Sequence, residues 1–410
     1  MSSTHQEPKY KLGAFGFLIL YQAVLIGSIQ TVPILTPWIS EELPALEGLI
    51  GLFVSWVVLS ALLCSGLIIV MLRRVEAVRG ALISLMTVIL GLAVLIISEG
   101  IFGFLIAGFL LGLSYSALNP IGSQIVSSMG EPRRSNFLFS IKQSSVSIGA
   151  GTAGLLLPPL AALTSWHISL GSIIVLALLV IAFGILMRPS VTPVSRVTNY
   201  PLRLADLLPL SGFLLFVRNP EGKRLAFASM TFALAQYGIM AVYVVWAWGS
   251  LKLDAGMAGL LFFVVMMAGI FGRVFWGYVA DFVNPSRVLV LQLASASLCS
   301  LFMAIAPTGV DIVLLFGFSG ILGFVAMSWS GILLSEVARV GSSMGDPRQG
   351  IIDMTSGVQV LFYIGGLIGP SLLSIVYLNT GSFSLGYIII SMLFVISIWF
   401  YCGKPNVETQ

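Results

Sequence analysis

Long apolar stretches without charged residues are the feature that most limits how this chain can fold. Residues 81–98 and 170–187, for example, hold no Asp, Glu, Lys or Arg. A run of about 18 or more such residues is long enough to cross a lipid bilayer as a helix. Only 9% of the 410 residues are charged, whereas a soluble domain carries about 25%. We therefore expect a membrane protein whose solvent is lipid.

Each spanning segment is expected to be helical, because hydrocarbon offers the backbone polar groups no partner outside the segment. The alternation of apolar runs and polar breaks predicts an all-α membrane protein with twelve transmembrane helices. The predicted ranges are 13–36, 47–72, 77–97, 101–127, 136–160 and 167–187, followed by 224–248, 257–280, 287–306, 311–339, 350–378 and 382–402. The three cysteines fall in separate apolar stretches, so neither a disulfide nor a metal site is expected.

A duplicated phrase indicates that the chain consists of two related halves. The letters SSMGEPR at 127–133 return as SSMGDPR at 342–348, which is 215 positions later. Gln22 and Gln236 form a further pair at nearly the same spacing. A self-match at half the chain length is the signature of an internal repeat. The twelve helices are therefore predicted to form two six-helix pseudo-repeats.

The loop charges predict how the chain is oriented in the membrane. With the N-terminus inside, nearly all loop Lys and Arg lie on the cytoplasmic side, and the opposite side keeps only Lys252. This is the distribution that the positive-inside rule describes. It predicts a multi-pass inner-membrane (cell membrane) protein with both termini in the cytoplasm. The predicted domains are a first half at 1–187, a cytoplasmic linker at 188–222 and a second half at 223–410.

With this organisation the chain resembles the major facilitator superfamily. The best local motif is Gly277-Tyr-Val-Ala-Asp281 with Arg287 downstream, which resembles the family's short G-x-x-x-D loop between helices 8 and 9. The resemblance implies a secondary transporter that works by rocking its two halves, with this loop as part of its gate. Glu336 and Asp353, near the cytoplasmic ends of helices 10 and 11, are expected to join the same charged network. A role for them as proton carriers is the alternative.

Two cations inside predicted spans are the main candidates for a substrate site. Lys142 and Arg273 each lie about 12 Å along a helix from the nearest loop charge, at 1.5 Å per residue. A charge at such a depth is costly and commonly functional. The resemblance implies that helices 5 and 8 face each other, which would set both cations on opposite walls of one cavity. The alternative is that Lys142 extends to the inner surface and Arg273 pairs with Asp281 or another loop group.

Both cations favour an anionic substrate. Arg presents a planar fork that holds a carboxylate by two hydrogen bonds, and Lys adds a compact charge. The stretch around Arg273 also resembles helix 8 of monocarboxylate and oxalate/formate carriers. Further polar side chains are predicted to contact the substrate near the bilayer midplane, where transport sites lie. They are Gln22, Tyr115, Asn119, Gln143, Gln236, Tyr237, Gln359 and Tyr363, and interhelical hydrogen bonding is the alternative for them.

The leading functional prediction is a secondary carrier for a small organic anion, in particular a carboxylate. A proton, making it a symporter, or an exchanged counter-anion would drive it. The alternatives are an exporter of neutral or cationic amphiphiles, and a membrane sensor or assembly factor. No nucleophile–base pair or phosphate loop indicates an enzyme, and no cofactor or nucleic-acid partner is expected. The chain is expected to act as a monomer in the lipid bilayer.

Overall fold

The structure is a computed structural model that describes residues 8–98, 100–128, 135–187, 214, 220–343 and 347–402. These residues leave out both termini and nearly all of the predicted linker. They also leave out most of the first copy of the duplicated phrase and part of the second copy. All the regular elements of the described part are helices. Twelve spans in this part are long and apolar enough to cross a membrane, so the predicted number of transmembrane helices is confirmed.

The observed helices begin and end within a few residues of most predicted ranges. In the first half they are α1 (Pro8–Glu42), α2 (Ile50–Arg74), α3 (Ala77–Ile97), α4 (Ile101–Ser128), α5 (Ser135–Leu163) and α6 (Trp166–Met187). In the second half they are α7 (Pro220–Val245), α8 (Ala255–Phe282), α9 (Pro285–Ile305), α10a (Ile312–Ala326), α10b (Ser330–Ser342), α11 (Pro347–Thr380) and α12 (Ser384–Cys402).

The tenth helix, predicted at 311–339, is observed as one span at Ile312–Ser342, which a break at residues 327–329 divides into α10a and α10b. The Ser328 hydroxyl donates to the Phe324 carbonyl at 2.5 Å, and the Trp276 indole N–H donates to the same carbonyl at 3.0 Å. A side chain that bonds back to the preceding turn competes with the helical hydrogen bond and bends helices. The stretch contains neither Pro nor Gly. At the break, side chains of the turn itself and of α8 therefore share the Phe324 carbonyl.

The break lies where the second repeat is longer than the first. Gly112 in α4 and Gly323 in α10a occupy equivalent places. A Cβ at Gly112 would collide with the main-chain carbonyl of Val57 in α2, and a Cβ at Gly323 would collide with that of Val265 in α8. From Gly112 to the duplicated Ser at 127 the chain advances 15 residues, and from Gly323 to the Ser at 342 it advances 19. The four extra residues amount to about one helical turn. In the first repeat α4 is continuous over this stretch.

The chain divides into two compact units. Unit 1 comprises Met1–Leu46 and Trp56–Leu208, and unit 2 comprises Glu47–Ser55 and Pro209–Gln410. In unit 1, α1 packs against α4, α5 and α6, and α3 packs against α4 and α6. In unit 2, α7 packs against α11, α8 against α10a, and α9 against α12. Each unit therefore has its own helical core, and each carries one of the two predicted cations.

Candidate functional site

In unit 1 the predicted lysine lies inside the helix bundle. Lys142 on α5 is 4% exposed. Its Nζ donates a hydrogen bond to Oδ1 of Asn119 on α4 over 3.3 Å. The alternative in which Lys142 extends to the surface is therefore not what the structure contains. Lys142 and Asn119, both predicted from the sequence, meet in one cluster.

Gln22 of α1 forms hydrogen bonds with both α4 and α5 beside this lysine. Its Nε2 donates to the Leu118 carbonyl of α4 at 3.1 Å, and its Oε1 accepts from the Ser145 hydroxyl of α5 at 2.8 Å. The side chain is fully buried. A Cβ at Gly122 would lie 2.6 Å from Gln22 Nε2 and 2.5 Å from Lys142 Cε. Gln22 thus helps to position the cluster, and its contact with a substrate stays a prediction.

In unit 2 the predicted arginine meets the break in the tenth helix. Arg273 on α8 donates from Nε to the Met327 carbonyl at 3.2 Å. One turn further along α8, Trp276 donates to the Phe324 carbonyl. The last carbonyls of a helix lack partners within the helix and carry partial negative charge, so a cation there is favourable. Arg273 therefore stabilises the end of α10a.

The second half of the break is held by an aromatic and amide cluster. Trp329 is 2% exposed, and its Nε1 donates to Oε1 of Gln236 on α7 at 2.9 Å. Its ring stacks on Phe232 with centroids 5.0 Å apart. On the other side of the turn, Gln292 Nε2 donates to the Ser328 hydroxyl at 3.3 Å. Polar side chains of three neighbouring helices, α7, α8 and α9, thus hydrogen-bond to residues of the break or of the turn before it.

One acceptor near the break is left without a bond. The Oε1 atom of Gln292 has no hydrogen-bond partner among the described residues, although the side chain is fully buried. A buried polar atom in this state costs about 1–3 kcal/mol and calls for an explanation. Its neighbour Ser328 belongs to the broken turn. The break therefore contains an acceptor that a small polar molecule or a rearranged helix would satisfy.

The other predicted contact residues are half-buried on the same helices. In unit 1 these are Tyr115 on α4 and Gln143 on α5, and in unit 2 they are Tyr237 on α7 with Gln359 and Tyr363 on α11. Their contact with substrate stays a prediction. Four further residues of the site were not predicted from the sequence, namely Ser145, Trp276, Gln292 and Trp329. Ser145 and Trp276 were detectable, because each follows a predicted cation by three residues and so shares its helix face.

The predicted gating residues lie at the ends of helices. Gly277, Asp281 and Arg287 are exposed. Glu336 is 4% exposed, and Arg339 donates to it from Nη2 at 3.0 Å. The side chain of Asp353 lies outside the described residues. The ion pair fits a charged network at this end of unit 2, and its role in gating stays a prediction.

Comparisons with known proteins give the family. The family model described as Major Facilitator Superfamily matches residues 15–345. No curated protein matches the chain in a sequence search. The crystal structure of a POT family transporter in complex with 5-aminolevulinic acid is 13% identical, with a TM-score of 0.77 over 97% of this chain and 96% of that chain.

A second solved structure has the same fold. It is the human organic anion transporter MFSD10 (TETRAN), which is 17% identical, with a TM-score of 0.69 over 97% of this chain and 100% of that chain. Both structures support the predicted fold class of twelve helices in two six-helix pseudo-repeats. Because the family model also matches most of the sequence, the chain belongs to the Major Facilitator Superfamily, a family of transporters and not of enzymes, and it is a secondary transporter.

Proposed function

We propose that this transporter moves a small organic anion, specifically a carboxylate, by alternating access. Lys142 and Arg273 supply the positive charges that attract it. The observation that carries the proposal is the position of Lys142, buried in unit 1 and hydrogen-bonded to the neutral amide oxygen of Asn119. An amide oxygen brings no negative charge, so this bond orients the amine and leaves its charge in place.

Arg273 supports the same proposal from unit 2. Its hydrogen bond runs to the uncharged carbonyl oxygen of Met327. That bond fixes the plane of the guanidinium group before a substrate arrives. A preoriented fork loses less entropy on binding a carboxylate than a free side chain does. Arg273 thus has two proposed roles, which are to stabilise the end of α10a and to attract the substrate.

A carboxylate substrate would also lower the energetic cost of placing two cations inside the spans. A charged group inside a membrane protein costs several kcal/mol unless it is paired or in a hydrated cavity. A bound carboxylate neutralises a cation and forms charge-assisted hydrogen bonds, which are about twice as strong as neutral ones. We further propose that the 188–222 linker and both termini are cytoplasmic, because the loop cations favour that orientation.

Counterflow into proteoliposomes tests the proposal. One structural neighbour is described as an organic anion transporter, so labelled mono- and dicarboxylates are the first substrates to try, with neutral and cationic amphiphiles beside them. We expect Lys142→Gln and Arg273→Gln to abolish counterflow of the transported carboxylate. The matched controls Lys223→Gln and Arg79→Gln change exposed residues and are expected to transport normally.

Two results would contradict the proposal. One is transport of amphiphilic cations with no carboxylate transported, which would favour an exporter. The other is unaltered carboxylate counterflow in both Lys142→Gln and Arg273→Gln. A pH gradient imposed on the same vesicles distinguishes proton symport from anion exchange, because only symport accumulates the substrate when no counter-anion is inside.

A further inference from the structure

The start of α2 belongs to a different unit from the rest of that helix. α2 is a single helix over Ile50–Arg74. Its residues up to Ser55 nevertheless belong to unit 2, whereas those from Trp56 onwards belong to unit 1. We call the segment Glu47–Ser55 the α2 head. Within unit 2, the helix that binds this head is α11.

Three hydrogen bonds join the α2 head to α11. The Ser55 hydroxyl donates to the Leu367 carbonyl at 2.7 Å and accepts from the Ser371 hydroxyl at 2.7 Å. The backbone N–H of Gly51 donates to the Ser374 hydroxyl at 2.9 Å. Because the N–H groups of a first helical turn have no partner within their own helix, Ser374 caps α2 from another helix.

Two glycines allow the α2 head to approach α11 closely. A Cβ at Gly51 would collide with the main-chain carbonyl of Pro370, and a Cβ at Gly48 would collide with the side chain of Leu378. Ser55 is 3% exposed, so the centre of this contact is closed to solvent. Its hydrogen bonds all join neutral groups, and such bonds are weaker than charge-assisted ones. The contact is therefore complementary in shape, but no ion pair has to be broken to release it.

The sequence of α2 provides no hinge between the head and the rest of the helix. Residues 52–59 contain neither Pro nor Gly and are α-helical throughout. Sharp kinks in helices occur almost always at Pro, at Gly/Ser pairs or at π-bulges. A movement of residues 56–74 relative to unit 2 would therefore carry the α2 head with it.

From this arrangement we infer that the α2 head is a releasable latch on α11, which opens and closes once in each transport cycle. The latch rests on the alternating access proposed above, in which one half of the chain moves relative to the other. Because α2 continues from one unit into the other without a hinge, this movement separates Ser55 from Ser371 instead of bending α2. A covalent link between these two residues should therefore stop transport.

A reversible disulfide tests the latch. The variant Ser55→Cys/Ser371→Cys is made in full-length protein whose three native cysteines are replaced by Ala, because two hydroxyl oxygens 2.7 Å apart place their side chains within reach of a disulfide. The matched control is Ser297→Cys/Ser391→Cys, whose hydroxyl oxygens lie 2.9 Å apart on two helices of unit 2. In proteoliposomes, oxidation should abolish carboxylate counterflow by the first pair, and reduction should restore it. The control pair should transport normally in both states.

Either of two results would overturn the inference. The first is complete cross-linking of Ser55→Cys/Ser371→Cys with normal counterflow, which would show that α2 bends and the latch stays closed. The second is no cross-link in this pair under conditions in which Ser297→Cys/Ser391→Cys forms one. Absence of carboxylate counterflow already in the unmodified protein would instead contradict the proposed function.

Thiol labelling decides about the latch even when the substrate is not a carboxylate. Ser374 is 3% exposed and lies under the α2 head, and Ser319, in the core of unit 2, is fully buried. Because the latch opens, Ser374→Cys should react with a maleimide in proteoliposomes much faster than Ser319→Cys does. Equal protection of the two thiols would overturn the inference.

Discussion

The indole N–H of Trp329 donates to the amide oxygen of Gln236 over 2.9 Å, which links the broken tenth helix to α7. Gln236 was predicted from its repeat partner Gln22, and the structure gives the two glutamines different hydrogen bonds. Gln22 accepts from Ser145 on α5, whereas Gln236 accepts from a residue inside the break. Gln22 also donates to Leu118 of α4, the repeat equivalent of the tenth helix, so both glutamines hold the fourth helix of their repeat, but through different hydrogen bonds.

Removing the amide oxygen of Gln236 should destabilise the protein, but not a variant that already lacks the N–H of Trp329. Gln236→Leu leaves the N–H of Trp329 buried without a partner, which costs about 1–3 kcal/mol. Trp329→Phe removes that N–H and retains a ring to stack on Phe232. We expect the double variant to be no less stable than Trp329→Phe alone, as measured by unfolding in detergent. Strictly additive losses would show that the hydrogen bond does not couple the two residues.

The parts of the fold that the sequence predicted are those set by the thickness of the bilayer. The third helix was predicted at 77–97 and is observed at Ala77–Ile97, because the charge-free run and its polar flanks define both ends. The break at 327–329 was not predictable from local signals, since the groups bonded to its carbonyls include the side chains of Arg273 and Trp276 on another helix.

Only part of the candidate site could likewise be predicted from the sequence. Lys142 and Arg273 were identifiable because charged residues are rare inside the spans. Their observed partners, Asn119 and Met327, come from other helices, and neither pairing follows from helical periodicity. Sequence reasoning therefore identified the charged groups, whereas tertiary packing determines what orients them.

The break should be visible in hydrogen–deuterium exchange. Backbone amides at 327–330 lie at a helix end, and such amides open more readily than those of a continuous helix. Residues 116–119 of α4, which follow Gly112 as 327–330 follow Gly323, are the matched internal control, because α4 continues through this region. We expect faster exchange at 327–330 in detergent, by at least about tenfold, which corresponds to roughly 1.4 kcal/mol of opening free energy. Equal rates would contradict a preformed break.

Two glycines of α10a should respond differently to the same substitution. A Cβ at Gly323 collides with the Val265 carbonyl of α8, whereas a Cβ at Gly320 meets nothing within 4 Å. Backbone cannot yield as a side-chain tip can, so Gly323→Ala should cost about 1–3 kcal/mol through overpacking. Gly320→Ala should be neutral or stabilising by up to about 1 kcal/mol, because Ala favours the helix. Thermal unfolding of both variants checks the difference, and similar melting temperatures would contradict it.

Gly122 should affect transport more than stability. A Cβ at this position would lie 2.5 Å from Lys142 Cε and 2.6 Å from Gln22 Nε2, both near the tips of flexible side chains. These tips can move, so Gly122→Ala is expected to fold while the Lys142 amine shifts from Asn119. The displaced amine would lose its charge-assisted hydrogen bond to the substrate carboxylate, which is worth about 1.5–3 kcal/mol, so the KM for the carboxylate should rise about tenfold or more. Gly16→Ala, where a Cβ meets nothing within 4 Å, is the control. A normal KM in a well-folded Gly122→Ala protein would show that the position of the amine does not govern substrate binding.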